Sequence, residues 1–166
     1  MPNAVTHVLL ALVLLSFFRH HLVKKKNFPL YLVLIGGIAG LLPDIDVLIY
    51  WFTSGVFSLV EVHRVFTHNF IIPMGIFLIG LILLKYKDKI GKVLMVVGFG
   101  WFLHVLLDGL LSGTVYPLYP FANLGWGLNL LPGTIFAGSL YAGLDAILLI
   151  GWLVYEYWQH NIKEYT

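Results

Sequence analysis

The chain of 166 residues is 60% hydrophobic and only 11% charged, too little polar surface to cover a soluble globule, so we expect an integral membrane protein. Its net charge of +2 follows from basic residues gathered on one side of the predicted spans and does not indicate a nucleic-acid partner. The absence of cysteine excludes disulfides and thiolate metal ligands.

The first apolar run, Ala4–Phe18, contains His7 and is followed by basic residues. No basic residue precedes this run and no small-x-small cleavage pattern follows it, so we expect a retained helix and not a signal peptide. Two interpretations of His7 stay open. It is either a metal ligand or an interfacial residue near a helix end.

The second run, Phe28–Leu42, ends at Pro43, which cannot continue a helical hydrogen-bond ladder. Asp44 and Asp46 follow at once. Carboxylates bind divalent metals, but aspartate is also a good N-cap. We therefore expect metal ligation from this pair without fixing which carboxylate supplies it, and we expect one of the two to cap the next helix.

Residues 45–62 are apolar but are interrupted by Thr-Ser-Gly at 53–55. This interruption favours a helical or re-entrant connection over a full span. The polar stretch that follows contains four candidate site residues. His68 is predicted to bind metal, Thr67 to hydrogen-bond a ligand carboxylate, and His63 and Arg64 to be either site residues or surface charges.

The third run, Phe70–Leu84, and the fourth, Val93–Leu111, are joined by a charged turn. His104 and Asp108 are four residues apart, so both lie on one face of an otherwise apolar helix. Ionisable residues inside a membrane helix are costly and usually functional. We therefore predict that both are metal ligands and not merely a structural pair.

Residues 112–134 are rich in Pro, Gly and aromatic side chains and lack helical periodicity. They predict either an interfacial aromatic belt or a lid over the site. The fifth run, Ile135–Trp158, contains Asp145. That carboxylate is a metal ligand, a partner that orients a ligand histidine, or a hydrogen-bonding group in helix packing.

The five runs are 15 to 24 residues long, enough to cross or nearly cross a hydrocarbon core of roughly 30 Å. They predict an all-α fold: a single transmembrane helical domain over residues 1–166 with about five membrane helices. Nine of the ten Lys and Arg fall on one side of these spans, and Arg64 is the exception. By the positive-inside rule the N-terminus is outside and the C-terminus cytoplasmic, in a multi-pass protein of the cell membrane.

Six polar residues form two layers when they are counted from the basic end of each run. The lower layer lies 12 or 13 residues up its runs and the upper layer 16 or 17, or about 18 to 20 Å and 24 to 26 Å at the helical rise. The sequence therefore predicts one metal site in the outer half of the membrane. The lower layer is His7, His104 and Asp145, and the upper layer is Asp44, His68 and Asp108.

Four motifs follow one another along residues 1–112: Thr-His at 6–7, Leu-Pro-Asp-Ile-Asp at 42–46, His-Arg-x-x-Thr-His at 63–68 and His-x-x-x-Asp at 104–108. Together they resemble the membrane-bound metal-dependent hydrolase family called YdjM-like, which in turn resembles soluble zinc-dependent phospholipases C and single-strand nucleases. The resemblance implies a hydrolase that cleaves a phosphoester. In two respects the chain departs from the pattern: Asn69 stands where Ser is usual, and the part past Ser112 matches no motif.

The candidate ligands are numerous enough for one metal ion or two. Zinc suits a His/Asp set, and manganese or iron binds the same residue types. In the implied reaction a metal-acidified water attacks phosphorus, Arg64 clamps the phosphate, and Asp46 or His63 acts as base or orients the water. The candidate ligands are His7, Asp44, Asp46, His68, His104 and Asp108.

A site in the outer half would open to lipid, so the expected substrate is a membrane phospholipid or a lipid-linked phosphate. The alternative is a non-enzymatic metal-binding or metal-transport protein. A transporter should continue its polar residues into the inner half, where these runs are apolar apart from Ser16. A subunit with a purely structural metal should have closed coordination.

Overall fold

The computed structural model describes residues 3–23, 25–52, 66–111, 113–131 and 137–159. Within these ranges the regular secondary structure consists of helices and includes no β-strand, so the fold is all-α, as the sequence predicts. Each of the five apolar runs contains an α-helix in its described part, and a short helix follows the second run. The α-helices are α1 (Ala4–His21), α2 (Leu30–Ala39), α3 (Ile45–Phe52), α4 (Ile71–Leu83), α5 (Asp88–Leu111) and α6 (Ala137–Trp158).

Three of these helices, α1, α5 and α6, are long and apolar enough to cross a membrane. The other two predicted spans are shorter: α2 has 10 residues and α4 has 13, which is about 15 and 20 Å of helix. Helix α2 stops before the predicted end of its run because tight turns begin at Gly40. The chain is thus a membrane helical bundle, and the count of five spans stays a prediction.

Helix α5 is the centre of the bundle, because it packs against α4, α2 and α1. The close crossings use glycine. A Cβ on Gly100 would overlap the carbonyl oxygen of Gly36 in α2, and a Cβ on Gly80 of α4 would lie 2.9 Å from the carbonyl oxygen of Gly91. Small residues let backbones approach in membranes, where packing replaces the hydrophobic drive. These crossings fix the height of α2 and α4 along α5.

The apolar core lies toward the end of the bundle that carries the lysines, which we call the basic end. Its buried side chains come from α1, from α2, from α5 and from Phe28, which precedes α2. They are Leu9, Leu12, Leu15, Phe28, Leu32, Val33 and Val96. Helix α6 packs chiefly against α1. Only 6% of the residues in its most apolar stretch are buried. Most of its surface is therefore exposed to the surroundings, which suits a lipid-facing helix.

Residues 113–131 are non-helical and fold over the other end of α5. Val115 and Trp126 pair in an isolated antiparallel bridge. Backbone N–H groups of residues 128, 130 and 131 donate to the carbonyl oxygens of residues 109, 110 and 111. These are the last carbonyls of α5, which have no partner within their own helix. The segment thus caps α5 one residue beyond Asp108.

Candidate metal centre

His104 and Asp108 project together from α5 at the capped end of the bundle. Their side chains are each 1% exposed, and His104 Nε2 lies 3.7 Å from Asp108 Oδ2. The other ring nitrogen, His104 Nδ1, is 2.6 Å from the carbonyl oxygen of Gly40. A carbonyl can only accept, so Nδ1 carries the proton and Nε2 presents its lone pair to the centre. The Gly36–Gly100 crossing brings Gly40 to this height.

His68 comes from the connection before α4 and is fully buried. Its Nε2 lies 3.3 Å from His104 Nε2 and 3.5 Å from Asp108 Oδ2. On the far side of the ring, Nδ1 is 2.9 Å from the Thr67 hydroxyl, which itself donates to Asp46 Oδ2 at 2.7 Å. Asp46 and Thr67 therefore hold the back of His68, and its Nε2 faces the centre.

The connection that carries His68 is anchored on both sides. Trp101 of α5 donates its indole N–H to the carbonyl oxygen of Thr67 at 2.9 Å. The Asn69 side chain accepts the backbone N–H of Ile72 at 2.9 Å and donates to the carbonyl oxygen of Phe66. Asn69 stands where Ser is usual in the family that the chain resembles. Its side chain caps the first turn of α4, so His68 lies in the connection before the helix.

Asp44 closes the group from the connection between α2 and α3. Its Oδ1 lies 3.5 Å from His104 Nε2 and 3.6 Å from His68 Nε2. The Asp44 side chain is 32% exposed, whereas those of His68 and Asp108 are 0% and 1% exposed. The group is therefore open on the side of Asp44.

Four ligand atoms converge in this way: His68 Nε2, His104 Nε2, Asp44 Oδ1 and Asp108 Oδ2. Five of their six separations are 3.3 to 3.7 Å. Nitrogen and oxygen ligands at about 2.0 to 2.2 Å from a tetrahedral ion would be roughly 3.3 to 3.6 Å apart. The donor types and these five spacings are those that one divalent metal ion requires. Three of the residues, Asp44, His68 and His104, form a group that could hold an ion.

His7 of α1 makes a neighbouring group with the same two residues of α5. Its ring stacks on that of His104, with centroids 3.8 Å apart, and its Nε2 is 3.5 Å from Asp108 Oδ1. His7, His104 and Asp108 are close enough to hold an ion. Because His104 offers a single free nitrogen, the two groups compete for it. Asp108 turns one oxygen to each group.

Charge explains why Asp44 and His68 differ from ordinary side chains. Burial disfavours the Asp44 carboxylate, but the adjacent His68 and His104 rings outweigh it and hold the pKa of Asp44 below its ordinary value. Burial also disfavours a charged His68, but its contacts with Asp44, Asp46 and Asp108 outweigh it and raise the pKa of His68. Three carboxylates around one imidazole favour positive charge at this point.

The remaining sequence candidates lie elsewhere. Asp145 accepts hydrogen bonds from the Asn3 amide, at 2.8 Å, and from the Thr6 hydroxyl, so it ties α6 to the start of α1. Of its three predicted roles, this position is that of a helix-packing group. His63 and Arg64 lie outside the described residues.

Sequence reasoning missed several contributors. The Gly40 carbonyl and the Trp101 indole support the site. The sequence does not reveal a backbone oxygen, because any residue type carries one, and a tryptophan in a membrane helix is common for other reasons.

A buried pair, His20 and Glu156, joins α1 and α6 at the basic end with 3.5 Å between Nε2 and Oε1. In the sequence, the one indication of this pair is that Glu156 is an acidic residue inside an apolar and aromatic run.

A protein-family model matches nearly the whole chain. The model of the YdjM inner membrane protein family covers residues 1–163. No curated protein and no solved structure matches the chain, so the resemblance to soluble phospholipases C stays a prediction. On the strength of a match along nearly its whole length, the chain belongs to the YdjM inner membrane protein family.

Proposed function

We propose that this protein is a metal-dependent hydrolase of the membrane that cleaves a phosphoester of a lipid or a lipid-linked substrate. The observation that carries the proposal is the convergence of four ligand atoms from three separate segments, with one of the four side chains partly exposed. Such a set is costly to bury without a cation. Partial exposure of Asp44 leaves one side open for water and substrate.

Zinc fits the group, since zinc binds histidine nitrogens and carboxylate oxygens at distances that agree with the five measured separations. Manganese and iron use the same residue types. A second ion would have to be held by His7 and the Oδ1 of Asp108, which are 3.5 Å apart.

A bound divalent cation would acidify water and neutralise charge that develops at a phosphoryl group. The residues of the chain prepare that chemistry. Gly40 and the Thr67–Asp46 pair fix the protonated nitrogens of His104 and His68, so both lone pairs point inward. Asp44, the most exposed member of the group, is the side chain nearest to an entering substrate. In this proposal Arg64 is the phosphate clamp, and Asp46 or His63 is the base or the group that orients the water.

A lipid substrate is supported by the surroundings of the centre. The segment that caps α5 carries exposed apolar side chains, with Phe121 83% and Leu124 68% exposed. Trp126 of the same segment packs on Gly109, next to Asp108. Apolar side chains at this end of a membrane bundle suit contact with the headgroup and upper chain region of the bilayer. With the basic end in the cytoplasm, the centre would face outside.

The alternative is a metal-binding protein without catalysis, and one observation favours it. Four protein ligands at tetrahedral spacing resemble closed structural sites, whereas catalytic zinc usually has three. Transport finds less support. Between His7 and Ser16 the buried residues of α1 are apolar, which leaves about 13 Å of this helix without a buried polar side chain below the centre.

Hydrolysis of defined lipids tests the proposal. Purified protein loaded with zinc or manganese would be incubated with a panel of phospholipids and lipid-linked phosphates, beside His68→Ala and Arg64→Ala. We expect turnover that a chelator abolishes and metal restores. Arg64→Ala should retain metal but lose about ten- to a hundredfold in rate, the worth of one charge-assisted phosphate contact. Wild type that releases no more product than His68→Ala on every substrate favours the non-catalytic alternative.

A further inference from the structure

An apolar cavity lies between α1, α4 and α5, away from the metal centre. Its volume is about 460 Å³, within the range of roughly 300 to 1,000 Å³ that is usual for small-molecule sites. The described side chains that line it are all apolar. Those that carry the inference are Leu14, Phe18, Phe28, Phe77, Met95 and Phe99.

Toward the basic end, this cavity adjoins a second one of about 260 Å³. The two share Phe18, Phe28 and Met95. The second is also lined by Asn27 and Lys92, so polar groups appear at this end of the space. The two cavities form a slot that is apolar inside and polar at its mouth.

The charge at this mouth is positive. The Lys92 ammonium is 2.7 Å from the Asp88 carboxylate and keeps 26% of its side chain exposed. Lys25 and Lys26 lie in the exposed turn that ends at Asn27. Asn27 and Lys92 both line the second cavity, so the two lysines that precede Asn27 in the chain bring further positive charge to this end of the slot. An anion at the mouth would be attracted.

At its other end the slot stays apolar. A third cavity of about 200 Å³ shares Phe77 and Phe99 with the first and ends at Phe102 and Pro73. Lys92 and Phe102 are ten residues apart on α5, which is about 15 Å of helix. A ligand that fits must therefore have a long apolar part along α5 and its polar part near Lys92.

We propose that this slot binds one phospholipid with an anionic headgroup, its phosphate at Lys92 and an acyl chain along α5. The site is separate from the metal centre, because its polar end is at the opposite end of α5 from His104 and Asp108. A helical bundle in a bilayer meets such lipids at its basic end, where clustered lysines attract anionic headgroups. The proposal does not depend on hydrolase activity.

Binding of defined lipids to the delipidated full-length chain in detergent tests this inference. Native mass spectrometry would count bound phosphatidylglycerol and phosphatidylcholine with identical chains. We expect one retained phosphatidylglycerol and weaker phosphatidylcholine. Lys92→Ala should weaken phosphatidylglycerol about fivefold, since one lysine near a headgroup contributes about 1 kcal/mol. Lys87→Ala is the matched control, an exposed lysine at the same end that does not line the slot.

Met95→Trp supplies a second variant, because the larger ring would fill the slot and leave Lys92 in place. It should lose both lipids, and its melting temperature without lipid would show that it is folded. Two results would contradict the role of Lys92 in binding the headgroup. One is equal binding of phosphatidylglycerol by Lys92→Ala and Lys87→Ala, and the other is equal retention of the two lipids by wild type. Unchanged binding by folded Met95→Trp would overturn the slot, as would displacement by chain-free glycerol phosphate.

Discussion

His104 owes its place in the centre to a backbone carbonyl as much as to its own helix. The Gly40 oxygen holds Nδ1, and Nε2 then lies within 3.7 Å of three other ligand atoms. His68 is oriented by the same logic through Thr67. The strength of both histidines as ligands would therefore depend on groups that do not themselves touch a bound metal.

Removal of the His104 ring should remove the metal. We expect purified His104→Ala to contain little transition metal, because the group loses its central nitrogen. His21→Ala, an exposed histidine at the basic end, should keep the wild-type content. Elemental analysis of both proteins, purified side by side, gives the comparison. Equal metal content would show that the ion is not bound here.

Thr67→Val tests the support of His68 without removing a ligand. The variant loses the hydroxyl that bonds Asp46 and His68, so we expect metal affinity to fall by about ten- to a hundredfold, as for other supporting groups. Thr6→Val is the matched control, because the Thr6 hydroxyl is also buried and donates to a carboxylate, that of Asp145. Competition with a chromophoric chelator measures both. Equal affinities would assign Thr67 no role in the centre.

Asp145 connects two helices, because its carboxylate on α6 accepts hydrogen bonds from Asn3 and Thr6 at the start of α1. We expect Asp145→Ala to lower the free energy of unfolding by about 1 kcal/mol, the usual size of a hydrogen bond between membrane helices. The bound metal should remain. Thermal unfolding in detergent and metal analysis test both parts. Metal loss as complete as in His104→Ala would instead assign Asp145 to the centre, through the position of α1.

The apolar runs predict the helices, but not their ends. Helix α5 begins at Asp88 and not at Val93, because the Asp88–Lys92 pair supports a first charged turn. Helix α2 ends at Ala39, where turns take over before Pro43. The same turns decide that Asp44 faces the centre while Asp46 lies behind His68. Residue type alone leaves that choice open, because both are aspartates of one motif.

The whole molecule has two chemically different ends. The metal centre lies at the end where α5 finishes, and the lysines lie at the end where α5 starts. Helix α5 has 24 residues, about 36 Å, which exceeds a hydrocarbon core of roughly 30 Å. Its two ends should therefore lie on opposite sides of the membrane, whichever way the protein is inserted.

The orientation can be tested with single cysteines, because the chain has none of its own. Position 88, at the start of α5, and position 123, in the segment that caps its far end, are both exposed. The positive-inside rule places the lysines in the cytoplasm. In intact cells an impermeant maleimide should therefore label Asn123→Cys and not Asp88→Cys, and permeabilised cells should label both. The reverse pattern would place the metal centre on the cytoplasmic side, and labelling of both in intact cells would mean that α5 does not span.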